Sequence, residues 1–185
     1  MMKTHLDSSP VKSISIATFV NDFLQLTKFR LALSVVFSSV AGYLLAVDQV
    51  ETKILIGLFI GGFAMVGASN AINQLIEKDL DALMSRTKNR PLPTGRMSTL
   101  VAAIIATFLT VLGVMVLYAI NLKTALFGLL SIFIYTCIYT PLKTISPLAV
   151  FVGAFPGAIP FMLGWVAATG KFGIEPGTLF MVQFF

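Results

Sequence analysis

The order of apolar and polar positions divides the chain into long apolar runs that are separated by short polar segments. A transmembrane helix needs about 20 predominantly apolar residues, and most of these runs approach that length. The runs are continuous and lack the period-two alternation of membrane barrel strands, so helices are favoured. We predict five complete spans and the start of a sixth near Thr178, the complete ones lying at about 31–47, 54–76, 100–120, 124–139 and 148–168.

The two ends of the chain differ from the spans. Residues 1–27 are mixed and polar, without an apolar core that leads to a cleavage site, so we predict a polar tail and a short helix on the membrane surface. Residues 28–185 then form the membrane domain. The last apolar run stops at Phe185 without a polar cap, from which we expect an N-terminal fragment of a longer bundle.

Composition supports an integral membrane protein. Hydrophobic residues make up 57% of the chain and charged residues 11%, and the mean hydropathy is +0.91. Soluble domains carry about 25% charged residues. An all-α polytopic transmembrane helix bundle is the architecture that satisfies the backbone in lipid with these continuous runs.

The net charge of +5 does not indicate nucleic-acid binding, because the basic residues lie in the segments between spans. The predicted spans put three lysines on one side of the membrane, at positions 53, 123 and 171, and the other ten basic residues on the opposite side. By the positive-inside rule, the N-terminus and the loop at 77–98 are expected in the cytoplasm, with the protein in a bacterial plasma (inner) membrane.

An unusual group of acids ends the second span. Asn73, Glu77 and Asp81 stand four residues apart, so on a helix they share one face over about 12 Å. Their oxygen atoms are of the kind that Mg²⁺ prefers, and two carboxylates one turn apart repel each other unless a cation intervenes. We predict a metal site here. An ordinary solvated loop is the alternative, but Asn70 and Asn73 lie within the apolar run, where polar groups are often functional.

A basic loop follows at once. Arg86, Lys88, Arg90 and Arg96 surround a Pro-Leu-Pro-Thr-Gly turn that would fold the loop back towards the acids. Arginine forks onto phosphate oxygens, and lysine acts as a point charge. The combination predicts a site for a polyphosphate, and therefore an enzyme that acts on a lipid diphosphate.

Two further patterns are more ambiguous. Tyr139 and Lys143, four residues apart near the end of the fourth span, would reach the same diphosphate, although the spacing alone favours an interfacial tyrosine and a snorkelling lysine. The segment at 153–160 holds two glycines and two prolines, which predicts a kinked or unwound helix that makes room for a flat ligand. A simple packing kink is the alternative.

These motifs resemble the UbiA-type intramembrane prenyltransferase superfamily. Its N-x-x-x-D-x-x-x-D motif corresponds to Asn73, Glu77 and Asp81, with Glu77 where many members have Asp. Its R-T-x-N-R-P-L-P-x-G element matches 86–95, and its Y-x-x-x-K pattern matches Tyr139 and Lys143. Within the superfamily, the V-G-A-F-P-G-A-I-P run and its surroundings are most similar to the protoheme IX farnesyltransferases, also called haem O synthases. The resemblance covers roughly 27–185.

The resemblance implies a UbiA-like bundle of about nine helices that transfers a farnesyl group from farnesyl diphosphate to haem b, giving haem O and pyrophosphate. It implies Mg²⁺ as cofactor, with haem b as a substrate, and a second acidic cluster on a helix beyond residue 185. Membrane lipid and haem A synthase or oxidase assembly proteins are the implied partners. The implied catalytic residues are Asn73, Glu77, Asp81 and Lys143, the first three binding the metal, and the implied diphosphate-binding residues are Arg86, Lys88, Arg90, Tyr139 and Lys143.

Three alternatives remain open at this point. The first is a prenyltransferase of the same superfamily that uses another acceptor, such as a quinone precursor. The second is a transporter or channel for a lipid or an anion, since intramembrane asparagines and broken helices also occur in that class. The third is a non-catalytic membrane subunit that assists the assembly of a respiratory oxidase.

Overall fold

The computed structural model describes residues 15–185, and the predicted polar tail at 1–14 lies outside this range. The described part is helical throughout and contains no strand. The helices, in chain order, are α1 Ile16–Leu26, α2 Phe29–Leu44, α3 Thr52–Ile76, α4 Lys78–Leu83, α5 Thr99–Ile120, α6 Leu122–Phe133, a π-helical segment Ile134–Tyr139, α7 Thr140–Leu142, α8 Ala149–Thr169 and α9 Ile174–Phe184.

The prediction of a transmembrane helix bundle is confirmed. Four helical stretches are long and apolar enough to cross a membrane, namely α3, α5, α8 and the continuous stretch Leu122–Leu142 that joins α6, the π segment and α7. The first predicted span differs from the expectation. α2 has only 16 residues, and it meets the criterion only together with α1, from which it is bent by 50°.

The final helix also begins earlier than expected. α9 starts at Ile174, four residues before the predicted Thr178. Pro176 lies in its first turn, where a missing N–H costs nothing because the first amides of a helix have no intrahelical partner. The proline therefore belongs to the helix start and does not delay it.

The predicted unwinding of the glycine- and proline-rich segment is wrong. α8 runs as one helix from Ala149 to Thr169 and contains both Pro156 and Pro160. Each proline removes one backbone hydrogen bond, and tight packing against α2 supports the remaining helix. Gly164 lies directly on α2, where an added Cβ would stand 1.9 Å from the carbonyl oxygen of Ser39. Glycine is needed at this position because the two backbones touch.

The core lies where α2, α3, α5, α6 and α8 meet. Its largest members are buried side chains such as Tyr43, Leu58, Met65, Leu117 and Leu163. α3 packs mainly on α5, and α8 packs on α2 and α9. A second, smaller apolar cluster around Leu26, Leu92 and Met97 packs the loop after α4 against the end of α1. This second cluster fixes the basic loop beside the end of α3.

Candidate functional site

Three polar residues at and just after the end of α3 line one cavity. Asn73, Glu77 and Asp81 are 1%, 6% and 3% exposed and all line a cavity of about 560 Å³. α3 formally ends at Ile76, and Glu77 has non-helical backbone angles. The helical hydrogen-bond pattern nevertheless continues, since the Glu77 amide donates to the Asn73 carbonyl and the Asp81 amide to the Glu77 carbonyl. The i, i+4 spacing therefore keeps the three side chains on one side.

Both carboxylates are paired with cations from distant parts of the chain. Lys143 Nζ lies 2.5 Å from Glu77 Oε1, and Arg90 Nη1 lies 2.6 Å from Asp81 Oδ2. Such pairs satisfy the charge of a buried carboxylate. They also bring the basic loop and the end of α7 to the acids.

Asn73 connects Glu77 to the π segment. Its Nδ2 donates to Glu77 Oε2 at 2.9 Å, and its Oδ1 lies 2.9 Å from the hydroxyl of Thr140. That hydroxyl is also 2.8 Å from the Tyr135 carbonyl oxygen, so its single proton is shared between two acceptors. The amide of Asn73 thus orients the carboxylate of Glu77 in this structure.

The other predicted residues divide into two groups. Arg86, Arg90, Tyr139 and Lys143 line the cavity with the acids. Lys88 is exposed and is not among the lining residues. Asp79, in the same short helix as Asp81, is exposed and also points away from the cavity. Arg96 of the basic loop is also absent from the lining residues and pairs with Asp22 instead. The structure therefore brings together the acids and cations that the sequence indicated, except Lys88 and Arg96.

Several residues of the cavity wall were not predicted. Lys28, which precedes α2, lines the cavity, and its only sequence signal is a cation directly before an apolar run. Thr87 is buried and donates its hydroxyl to the Asp81 carbonyl at 3.0 Å. Thr140 is not a lining residue but bonds to Asn73, and it had no sequence signal because this contact spans 67 residues.

The π segment shapes the opposite wall. Its backbone bonds reach five residues back, as in the bond from the Thr140 amide to the Tyr135 carbonyl. The rings of Tyr135 and Tyr139 stack with centroids 5.2 Å apart, and Lys143 Nζ lies 5.5 Å from the centre of the Tyr139 ring. Short π segments are frequent at functional sites. Here the segment places Tyr135 and Tyr139 on the cavity.

A second, more apolar cavity lies next to the first. Tyr135 lines both, so the two cavities are neighbours at this residue. The inner cavity has about 200 Å³ and is lined mainly by α2, α3, α8 and the α6–π stretch. It contains Pro156 and Pro160 in its wall, together with Val35, Val66 and Asn70. A polar mouth above an apolar interior suits an amphipathic ligand with an anionic head.

Within residues 15–185, no group of three or more histidine, cysteine, aspartate or glutamate side chains is placed to hold a metal ion. The cavity instead offers two carboxylates and one amide. Mg²⁺ is commonly bound through one or two carboxylates together with substrate phosphates and waters. The donor set of this cavity therefore fits Mg²⁺ that arrives with a phosphate ligand.

Comparisons with known proteins identify relatives of this chain. The protein is 68% identical over 169 residues to the protoheme IX farnesyltransferase of Christiangramia forsetii, covering 91% of this chain and 56% of that protein. The chain thus spans about half the length of the curated relatives that it matches.

Solved structures share the fold at low identity. A structure from work on digeranylgeranylglyceryl phosphate synthase in membranes superposes on this chain with a TM-score of 0.80 at 19% identity. The match covers 89% of this chain and 58% of that one. A UbiA homologue from Archaeoglobus fulgidus, bound to DMAPP and Mg²⁺, superposes with a TM-score of 0.69 at 19% identity, covering 88% and 60%. Residues 35–185 match the UbiA prenyltransferase family, and the chain therefore belongs to that family.

Proposed function

We propose that the protein transfers a farnesyl group from farnesyl diphosphate to a vinyl group of haem b within the membrane, and that one water molecule then adds to the resulting side-chain cation, giving haem O and pyrophosphate. The observation that carries the proposal is the single cavity at which Glu77, Asp81, Arg90 and Lys143 meet above an apolar interior. The acceptor comes from the relative in Christiangramia forsetii, whose name specifies protoheme IX. The distribution of basic residues supports a bacterial inner membrane location with the 77–98 loop in the cytoplasm.

Mg²⁺ is the cofactor that the donor set favours. Asn73, Glu77 and Asp81 would hold it, because their carboxylate and amide oxygens are suitable ligands and the three residues line one cavity. When bound, it would stabilise the negative charge that develops on the leaving diphosphate. The Archaeoglobus homologue, whose structure contains DMAPP and Mg²⁺, supports this assignment.

The chain's own cations would bind the diphosphate. Arg90 and Lys143 already stand at the cavity, and Arg86 lies on its wall. Guanidinium and ammonium groups bind phosphate oxygens through charge-assisted hydrogen bonds. Since charge grows on these oxygens as the allylic C–O bond breaks, preorganised cations stabilise the transition state more than the bound substrate.

The adjoining apolar cavity would receive the isoprenoid tail. Its lining combines the aliphatic side chains of Leu31, Val35 and Val66 with prolines and glycines of α8 and a few polar groups. An apolar enclosure keeps water from the allylic cation until the vinyl group of the haem attacks it. Tyr135, at the junction of the two cavities, would lie close to the bond that breaks.

Farnesyl transfer by the full-length protein in lipid nanodiscs tests the proposal, with radiolabelled farnesyl diphosphate, haem b and Mg²⁺. We expect label on haem, and Asp81→Asn and Glu77→Gln should each reduce the rate at least ~100-fold. Asp79→Asn is the matched control, since Asp79 lies in the same short helix but is exposed and outside the cavity.

The outcomes separate the alternatives. Transfer to a quinone precursor and not to haem would retain the prenyltransferase reaction and replace the acceptor. Uptake of label into sealed vesicles without transfer would indicate a transporter. If wild-type protein neither transfers nor transports the label, a role in assembly of an oxidase would remain.

A further inference from the structure

The elbow between α1 and α2 has an unusual backbone. Only Thr27 and Lys28 separate the two helices, and Lys28 has φ 49° and ψ 57°. Among residues 15–185, it is the only non-glycine residue with positive φ. Side chains with a Cβ disfavour this left-handed conformation. It persists only where the surroundings impose it, and such residues cluster at functional sites.

Two buried amides of α3 lie against the backbone carbonyls of the elbow. Gln74 Nε2 donates to the carbonyl oxygens of Leu26 at 2.9 Å and Gln25 at 3.2 Å. One turn earlier, Asn70 Nδ2 lies 3.5 Å from the Thr27 carbonyl oxygen. The last carbonyls of a helix lack intrahelical partners, and here side-chain amides of α3 donate hydrogen bonds to carbonyls at the end of α1. Gln74 and Asn70 are 0% and 1% exposed, so water does not compete for these bonds.

The C-terminal end of α3 links the elbow to the cavity. Gln74 is adjacent to Asn73 and three residues before Glu77, which directly follows the last residue of α3, so the elbow is bonded to the helix end that leads into the acids. The result is that Lys28 lines the cavity together with Glu77 and Asp81. Arg30, two residues on, lines an outer groove and not this cavity.

Lys28 differs in its pairing from Lys143 and Arg90, and it shares with Arg86 the lack of an ion pair within residues 15–185. Lys143 and Arg90 are each bonded to a carboxylate. Lys28 forms no ion pair with any residue in the range 15–185. A half-buried ammonium without a carboxylate partner, beside two other cations, is placed to receive an incoming anion.

We propose that Lys28 is a further diphosphate-binding cation beside Arg86, Arg90 and Lys143, and that Asn70 and Gln74 are positioning residues that hold it at the cavity. The inference rests on the proposed function, because the anion it names is the diphosphate of the prenyl donor.

Lys28→Gly in the full-length protein distinguishes the effect of the lysine charge from the effect of the elbow conformation. Glycine adopts positive φ without penalty, so this variant removes the cation and keeps the elbow. We expect KM for farnesyl diphosphate to rise about 10- to 100-fold, the effect of one charge-assisted hydrogen bond, with an unfolding temperature at or above that of wild type. Lys28→Arg should restore much of the affinity. Arg30→Met, the matched control, should leave KM unchanged.

Gln74→Leu tests the positioning role. If Gln74 acts on substrate through Lys28, the double variant Lys28→Gly/Gln74→Leu should have the KM of Lys28→Gly alone, even though it unfolds at a lower temperature. Additive effects on KM would show that Gln74 supports the cavity in some other way. An unchanged KM in Lys28→Gly would overturn the assignment of Lys28 while leaving farnesyl transfer intact.

Binding of pyrophosphate with Mg²⁺, measured by calorimetry, distinguishes this inference from the proposed function. Weaker binding to Lys28→Gly than to wild type supports the inference even if no farnesyl transfer is found. Equal binding contradicts it whatever the reaction. If wild type itself fails to bind pyrophosphate, both proposals fall.

Discussion

Lys143 and Glu77 meet across the bundle, with Nζ and Oε1 2.5 Å apart although the residues are 66 positions apart in sequence. Asn73 holds the second oxygen of the same carboxylate. Each oxygen of Glu77 is therefore engaged by a group of this chain, so a metal ion that binds here alone must compete with Lys143.

Removal of Lys143 should have opposite effects on metal and on substrate. In Lys143→Met, no ammonium group competes with a metal ion for the Glu77 carboxylate or repels it. The affinity for Mn²⁺ in the absence of diphosphate should therefore increase several-fold. Farnesyl transfer should fall, because a cation for the leaving group is lost. Mn²⁺ titration followed by electron paramagnetic resonance, together with the transfer assay, measures both. Weaker binding of Mn²⁺ alone would show that Lys143 does not compete with the metal.

Thr140→Val should weaken the connection between α3 and the π segment. The variant keeps the shape but leaves Asn73 Oδ1 without its buried donor, which we expect to cost about 1 kcal/mol of unfolding free energy. Thr178→Val is the control, since its hydroxyl makes only an exposed bond to the Ile174 carbonyl. Unfolding in mixed micelles compares the two, and equal stability of both variants would contradict the contact.

Gly164→Ala should separate α8 from α2. The added methyl would stand 1.9 Å from the Ser39 carbonyl oxygen and 2.6 Å from the Tyr43 amide nitrogen, and backbone atoms cannot move aside as a flexible side chain does. We expect a loss of about 1–3 kcal/mol of unfolding free energy.

Gly157→Ala provides the comparison within the same helix. Nothing lies within 4 Å of the position that an added methyl would occupy there, so alanine should be neutral or stabilise by up to ~1 kcal/mol through its higher helix propensity. Thermal unfolding of both variants checks the pair. A smaller loss for Gly164→Ala than for Gly157→Ala would refute close contact of α2 and α8.

The ion pair between Arg96 and Asp22 should respond asymmetrically to substitution. Arg96 Nε lies 3.0 Å from Asp22 Oδ1, and the side chains are 36% and 3% exposed. Arg96→Met leaves a buried carboxylate without its cation, which should cost about 1–3 kcal/mol. Asp22→Asn retains an acceptor oxygen and leaves the half-exposed guanidinium in contact with water, so it should cost less than ~1 kcal/mol.

Chemical unfolding of the two single variants and the double variant measures this asymmetry. Lys88→Met, in the same loop but exposed, should have little effect. A larger cost for Asp22→Asn than for Arg96→Met would contradict the burial of Asp22.

The local parts of this site were predictable from sequence because their geometry is local. The four-residue spacing of Asn73, Glu77 and Asp81 was enough to place them on one cavity, even though the helix is interrupted at Glu77, because the backbone bonds on either side continue. The approach of Lys143 to Glu77 followed only from the family resemblance, since spacing carries no information about contacts across the bundle.

The remaining features depend on long-range contacts. The left-handed backbone at Lys28 is held by side chains more than 40 residues away, and no local pattern indicates it. In the opposite direction, the prolines of α8 suggested more disruption than occurs, because local propensity does not include the support of α2. The arrangement of side chains at the end of α3 could thus be predicted from the sequence, whereas the elbow and the π segment could not.

The π segment makes the length of this helical stretch critical. A turn closed by i→i+5 bonds holds one more residue than an α-helical turn, and one residue corresponds to a rotation of about 100°. Deleting Cys137, which is exposed and lies inside the segment, would permit a more regular helix. The same deletion would turn Thr140 and Lys143 by about a quarter of a circle relative to Tyr135. The helix would be more regular, but Thr140 would lose its contact with Asn73 and Lys143 its contact with Glu77.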